Sequence, residues 1–469
     1  MTTHVEVRAG AYADSVTLLA VSRDVAAQPG IAAAQVAMAT PLNLEVLGSM
    51  GFEVPASTTN DMVVAFRLDD DGSVEAALAA VDAALTAANT RGDGGPEQLA
   101  PARTTASALA RGDAGLALVS VPGGSALVEA MDAVDAGRDV MVFSDNVPVE
   151  QEVALKRAAE RAGVLVMGPD CGTAMVGGVG LGFANVVRPG PVGVVAASGT
   201  GCQQVMCLLD AADVGISAAL GVGGRDLSEA VGGISTRTAL AALDADPATE
   251  QIVLVSKPPA ARVADELTAY IDTLSTPVQL ALLGPGRPDL TAAVEELLGA
   301  LGRPVPDWAS WGSPASGGHD GLLRGLFVGG TMCDEATIIT ADLLGADRCE
   351  MVDFGDDELT VGRAHPMIDP TLRLERIASV GSDPGTGVLL LDVVLGHGVQ
   401  DDPAADLTPV IRALRPDLPV VVACVGTDAD PQPLSAQAGQ LAEAGAHVFA
   451  SNAAAVRQAV SLLTDGGTA

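Results

Sequence analysis

Apolar residues in this chain fall in short runs, and between the runs they recur every three or four positions. That alternation predicts strands separated by amphipathic helices. Up to residue 90 the order is Val5 to Arg8, Asp14 to Ala27, Ala34 to Ala39, Leu42 to Met50, Met62 to Arg67 and Val74 to Ala88, a small N-terminal α/β unit. Gly and Pro punctuate Thr90-Arg91-Gly92-Asp93-Gly94-Gly95-Pro96, so a linker is expected over 91–112. Two β-α-β crossovers follow in 113–190, through Leu116 to Val121, Val140 to Phe143 and Val164 to Met167, predicting a Rossmann-like unit. A third unit, 191–302, alternates through Val192 to Ala196, Ala218 to Val222, Gln251 to Ser256 and Val278 to Leu283. A second linker, 303–321, leads to a fourth unit, 322–469, with apolar runs at Leu326 to Val328, Val388 to Val394 and Val420 to Val425.

Composition sharpens this picture. At 469 residues several cores are needed, since domains average roughly 150 residues. With 48% hydrophobic but only 2% aromatic residues, the cores are built from Ala, Val, Leu and Ile, which suits parallel sheets covered on both faces. The fold class is therefore α/β with several parallel-sheet domains. A formal charge of −34 without a basic run disfavours nucleic acid. No apolar stretch reaches the roughly 20 residues that span a bilayer, and Met1 to Arg8 lacks signal-peptide order, so no membrane is expected and a cytoplasmic location is. The six cysteines form no C-x-x-C pair and the five histidines do not cluster with them, so neither metal nor disulfide is expected.

The candidate chemistry sits on loops. Val192 to Ala197 runs into Ser198-Gly199-Thr200-Gly201 and then a helical pattern. Glycines let a ligand approach the backbone, and the free N–H groups of a helix start attract an anion. A second turn of this kind, Gly221-Val222-Gly223-Gly224, is followed by Arg225, able to contact the same anion or to pair with Asp226. The third and fourth units share a strand-Gly-Gly-Thr or strand-Gly-x-Gly grammar. Neither loop fits a P-loop or a dinucleotide fingerprint, so nucleotide hydrolysis and NAD are disfavoured. Lys257, one of two lysines in the chain, ends a predicted strand before Pro258-Pro259 and is aimed at the sheet-edge crevice. His365 in a polar loop suits acid/base work, the plain alternative being a loop anchor; His397, between Gly396 and Gly398, is a second candidate. Asp392 within an apolar run needs a partner. Asp356-Asp357-Glu358 reads as a solvated acidic turn, the alternative being a metal site, and Cys171 as a small buried thiol, the alternative being a nucleophile with a lowered pKa.

Gly168-Pro169-Asp170-Cys171-Gly172, Ser198-Gly199-Thr200 and Gly221 to Gly224 resemble signposts of the succinyl-CoA synthetase α subunit over roughly 113–290. Nearly the whole chain resembles the FdrA branch of that superfamily. This likeness runs through Phe143-Ser144-Asp145-Asn146-Val147-Pro148, Phe183-Ala184-Asn185-Val186, Thr360-Val361-Gly362-Arg363, His365-Pro366-Met367-Ile368-Asp369-Pro370 and Leu389 to Val394. The resemblance implies a CoA-binding-type Rossmann-like domain and two flavodoxin-like synthetase-type domains, the last similar to the synthetase β subunit. It also implies acyl-phosphate chemistry. The synthetase's phosphohistidine loop falls at Leu283-Gly284-Pro285-Gly286-Arg287-Pro288-Asp289, which holds no histidine, and no lysine-bearing ATP-grasp region is present.

A delivered acyl phosphate needs neither. The FdrA resemblance thus implies the large subunit of a multi-component carbamoyltransferase, moving a carbamoyl group between carbamoyl phosphate and a small amide or ureide such as oxamate, in purine or ureide catabolism. On that reading no cofactor is required, further protein subunits and an oligomer are expected, and His365, Lys257 and Arg363 are the catalytic candidates. Ser198, Gly199, Thr200, Gly201, Gly223, Gly224 and Arg225 would hold the phosphate, and Gly396, His397, Gly398, Asn146 and Asp170 a second anion or substrate. The alternatives are an acyl-CoA synthetase subunit using CoA and ATP with a separate ATP-grasp partner, and a non-catalytic scaffold binding acyl-CoA or phosphate.

Overall fold

The computed structural model describes residues 2–69, 72–90, 102–313, 320–360 and 363–464. Residues 91–101 and 314–319 of the expected linkers, with Val361 and Gly362 of the Thr360–Arg363 motif, lie outside the described residues. The chain forms two compact units: Met1–Pro101 with Gly355–Asp369, and Ala102–Phe354 with Pro370–Ala469.

In the first unit β1 (Thr2–Arg8), β2 (Ile31–Met38) and β3 (Met62–Leu68) alternate with the helices Ser15–Ala26, Pro41–Ser49 and Val74–Thr90. The strand-helix alternation is as read from the sequence, but the sheet is antiparallel, in the order β1-β3-β2. Asp14 caps the first helix by accepting from Thr17 N at 2.9 Å. Leu18, Val21 and Val25 of that helix pack on Val36, Val64 and Phe66 of the sheet.

The second unit is built mainly from parallel strands. β4 (Leu116–Val119), β5 (Asp139–Val142) and β6 (Val166–Met167) form a three-stranded parallel sheet. β7 (Thr173–Val176) and β8 (Val179–Gly182) form a hairpin that joins the next sheet, so the boundary expected near residue 190 runs through one sheet. That sheet continues with β9 (Pro189–Ala197), β10 (Ile216–Gly221), β11 (Gln251–Ser256) and β12 (Val278–Leu282), in the order β12-β11-β9-β10-β7-β8. The last sheet holds β13 (Ser310–Trp311), β14 (Leu322–Phe327), β15 (Cys349–Asp353), β16 (Thr386–Val394), β17 (Val420–Val425) and β18 (His447–Phe449), in the order β13-β18-β17-β16-β14-β15. All nine residues of β16 and all six of β11 are buried, as strands covered on both faces require.

Both six-stranded sheets reverse their winding beside their first parallel strand. From β9 the chain goes first to β10 and then across to β11; from β14 it goes first to β15 and then across to β16. Such switch points open crevices at the carboxyl ends of the strands. The turns that leave β9 and β14 are therefore placed to meet a ligand.

Candidate functional site at two facing helix starts

β9 ends at Ala197, and the helix Gly199–Ala211 begins with Ser198 as its cap, Oγ accepting from Gly201 N at 2.9 Å. β14 ends at Phe327, and Val328-Gly329 leads into the helix Gly330–Leu344. The two starts face each other: Ser198 Oγ and Thr331 Oγ1 are 2.6 Å apart and buried. A Cβ on Gly201 would overlap Ser198 Oγ, so the chain needs glycine there for the approach. Two helix starts, with their positive dipole ends, thus meet.

Asp392 of β16 fixes the second turn. Its carboxylate accepts from Val328 N at 2.7 Å and Gly329 N at 2.9 Å, and from Arg373 Nη2 at 3.0 Å. Burial raises the Asp392 pKa, while Arg373 and the two N–H groups pull against it. The partner this aspartate needed is thereby identified.

Lys257 follows β11, at the first switch point. Its Nζ lies 3.0 Å from Asp334 Oδ2, and a Cβ on Gly330 would come within 3.0 Å of Nζ and 2.5 Å of Asp353 Oδ2. Burial works to lower the Lys257 pKa, but the charges of Asp334, Asp353 and Asp170 outweigh it and raise it. The lysine is therefore a fixed cation beside the second helix start. Asp170 Oδ2 lies near the Gly223-Gly224 turn, 3.9 Å from where a Cβ on Gly224 would sit.

Other expected residues lie elsewhere. Arg225 donates from Nε to Glu152 Oε2 at 3.1 Å and from Nη2 to Val147 O at 2.8 Å, not into the anion crevice. Nor does it pair with Asp226, whose carboxylate accepts from Lys156 Nζ at 2.8 Å and from Thr236 Oγ1 at 2.6 Å. Lys156 also binds Glu152 at 2.7 Å, so a buried network has taken Arg225 as its outermost member. Asn146, with a positive φ of 52°, lies in the loop after β5, its carbonyl close to Gly123. The Gly396-His397-Gly398 turn packs on residues 182–185, with His397 N donating to Ala184 O at 2.8 Å and the His397 side chain exposed.

Arg363 and His365 belong to the first unit, because Gly355–Asp369 packs there, whereas Lys257 belongs to the second. Arg363 Nη2 lies 3.3 Å from Asp369 Oδ2, and His365 Nδ1 accepts from Met367 N at 3.3 Å. Burial pushes the His365 imidazole down to about 4, so it is neutral at physiological pH. Burial also pushes the Cys171 thiol up, away from the nucleophilic range. Sequence reasoning missed Thr331, Asp334 and Asp353. The Gly329-Gly330-Thr331 signal was present in the shared grammar of the two units.

A CoA-ligase family model matches residues 326–462, and a model described as AllF, heavy metal-associated domain, matches residues 1–101. The uncharacterized protein YahF of Escherichia coli K12 is 32% identical over 505 aligned residues, covering 96% of this chain and 97% of YahF. The succinate–CoA ligase [ADP-forming] subunit alpha 2 of Archaeoglobus fulgidus is 30% identical over 200 residues, covering 41% of this chain and 68% of that subunit. Among solved structures, the apo dinucleotide-forming acetyl-coenzyme A synthetase 1 of Ca. Korarchaeum cryptofilum superposes with a TM-score of 0.29 at 18% identity, covering 75% of this chain and 83% of that one. The donors a heavy-metal domain needs do not fit: residues 1–101 contain no cysteine, and His4 stacks on Phe66. Among the described residues no helix is long and apolar enough to cross a membrane.

Proposed function

From the premise that the chain belongs to the YahF family and carries a succinyl-CoA synthetase α-like module, we propose that it is the acyl-phosphate-binding subunit of a multi-component carbamoyltransferase. The observation that carries this reading is the pair of helix starts meeting at Ser198 and Thr331 beside Lys257. On this reading a phosphate would be drawn by the positive ends of the two helices, and Lys257 would offset the charge that grows as phosphate leaves.

Asp334, Asp353 and Asp170 all act on Lys257, so the site holds more negative than positive side-chain charge. On this reading the NH2 of a carbamoyl group would donate to one of these carboxylates. The acceptor nitrogen attacks the carbamoyl carbon, the bond from that carbon to the phosphate oxygen breaks, and phosphate departs with the electron pair and takes up the proton that the nitrogen loses. The Leu283–Asp289 loop, without histidine, suits a phosphate that is never parked on the protein. Further subunits are part of the proposal, as the name of the Archaeoglobus relative, an alpha subunit, suggests.

The matches to CoA ligases favour a second reading, an acyl-CoA synthetase subunit with a separate nucleotide-binding partner. The test is to co-purify the chain with the products of its neighbouring genes and supply carbamoyl phosphate with oxamate or another small amide. Phosphate release that depends on the acceptor and is lost in Lys257→Met is expected. Acyl-CoA formation from ATP and CoA, with no acceptor-dependent phosphate release, would replace the first reading by the second.

A further inference from the structure

The loop after β12, residues 283–289, leaves the strand beside β11 at the same carboxyl edge as Lys257. Both of its ends are tied to neighbours of the Lys257–Asp334 pair. At the start Leu283 N donates to Ser256 O at 2.9 Å, one residue before Lys257. Just past the end Leu290 N donates to Glu335 Oε1 at 2.7 Å, one residue after Asp334. Between these anchors Arg287 N donates to Gly284 O at 3.1 Å, closing a turn with Pro285 second and Gly286, at a φ of 70°, third. Those residues in that order suit a type II turn, so a stiff corner fixes where Arg287 leaves the backbone. Its stem lies back along the turn, since a Cβ on Gly284 would meet Arg287 Cδ at 3.4 Å. The Arg287 side chain is exposed and, among the described residues, has neither an ion pair nor a hydrogen bond.

Charge balance gives this arginine a task. An acyl phosphate brings roughly two negative charges at neutral pH. The two helix starts offer about +0.5 each. Lys257 is already bonded to Asp334, so about one positive charge is wanting. We propose that Arg287 supplies it, as a second cation that grips the phosphoryl group together with Lys257, its guanidinium donating two N–H groups to phosphoryl oxygens. Neighbouring strands stand about 4.8 Å apart, a gap that an arginine side chain spans from β12 to the end of β11. The Lys257 and Asp334 side chains are each 40% exposed, so a ligand can reach them from solvent. The assignment rests on the acyl-phosphate reading of this site and adds to it a residue that selects for a doubly charged group.

Calorimetric titration of the full-length chain with inorganic phosphate and with carbamoyl phosphate tests it, using Arg287→Met. Arg303→Met is the control for lost charge, because Arg303 is also exposed but lies past the far end of the helix Leu290–Ala300. Arg287→Met is expected to weaken both ligands at least roughly tenfold, the loss of a charge-assisted contact, at an unchanged melting temperature. Arg303→Met should bind as the unaltered chain does. Undiminished binding by Arg287→Met would overturn the proposal; so would an equal loss in Arg303→Met, or no binding of either ligand by the unaltered chain. The carbamoyl reading fails separately: Arg287-dependent phosphate binding, with no acceptor-dependent phosphate release from the co-purified complex, keeps the role of Arg287 and rejects carbamoyl transfer.

Discussion

Ser198 Oγ and Thr331 Oγ1, 133 positions apart in the sequence, lie 2.6 Å from each other at the starts of two helices that issue from two different sheets. Each hydroxyl has a local duty and a shared one. Ser198 caps its own helix through Gly201 N, so Ser198→Ala removes a cap and leaves Thr331 without its buried partner. A loss of about 1 to 2 kcal/mol is expected, by cap energetics. Restoring apolar complementarity with Ser198→Ala plus Thr331→Val should recover part of it, since both polar partners then go together. Thermal melts of the two variants decide this, and the double variant melting no higher than Ser198→Ala would refute the coupling.

Gly330→Ala separates folding from binding. Gly330 opens a helix and has no positive φ, so alanine is acceptable to the backbone and reduces the freedom of the unfolded chain. Its Cβ, however, would lie 2.5 Å from Asp353 Oδ2 and 3.0 Å from Lys257 Nζ, forcing both side chains aside. The expected outcome is a melting temperature that falls little, with carbamoyl phosphate affinity reduced at least roughly tenfold, the cost of one misplaced charge-assisted contact. Calorimetric titration of the variant checks it.

Much of this site was readable along the chain, and the reason is local. Small residues after an apolar run define Ser198–Gly201 and Gly223-Gly224, and the same signal lies in Gly329-Gly330-Thr331. What pairs the first start with the third is tertiary, set by how two sheets pack. Charged side chains were less legible. Arg225 reaches back to Glu152, and Arg363 closes on Asp369, because each follows the nearest carboxylate in space. The antiparallel N-terminal sheet has the same origin: strand-helix alternation sets element order, while placing β3 between β1 and β2 depends on which faces bury Val64 and Phe66.

Lys257 carries a pH prediction. Burial lowers its pKa, but Asp334, Asp353 and Asp170 together raise it above the ordinary 10.5. The ammonium is therefore complete throughout the neutral and mildly alkaline range. Carbamoyl phosphate affinity should show no alkaline loss below about pH 10, the ordinary lysine range. Asp353→Asn removes one supporting charge, so the loss should move to lower pH. A titration series across that range reads both, and an alkaline loss near neutrality in the unaltered protein would remove Lys257 from the anion site.

Glu335 gives the second unit a pH-dependent stability. It is fully buried, accepts from Leu290 N at 2.7 Å and Asn452 Nδ2 at 2.7 Å, and is pushed by burial from 4.5 up to about 7. Between those values the unfolded chain has released a proton that the native chain keeps, so stability falls as pH rises from 4.5 through about 7 and then levels off. Glu335→Gln removes the titration while its carbonyl still accepts from Leu290 N. Its NH2, however, takes the place of Oε2 and faces the donor Asn452 Nδ2, so that hydrogen bond is lost. The variant should lose the Glu335 share of the decline between acid and neutral pH. Paired melts across that interval measure the difference, and parallel curves for the two proteins would show that Glu335 titrates as an ordinary carboxylate.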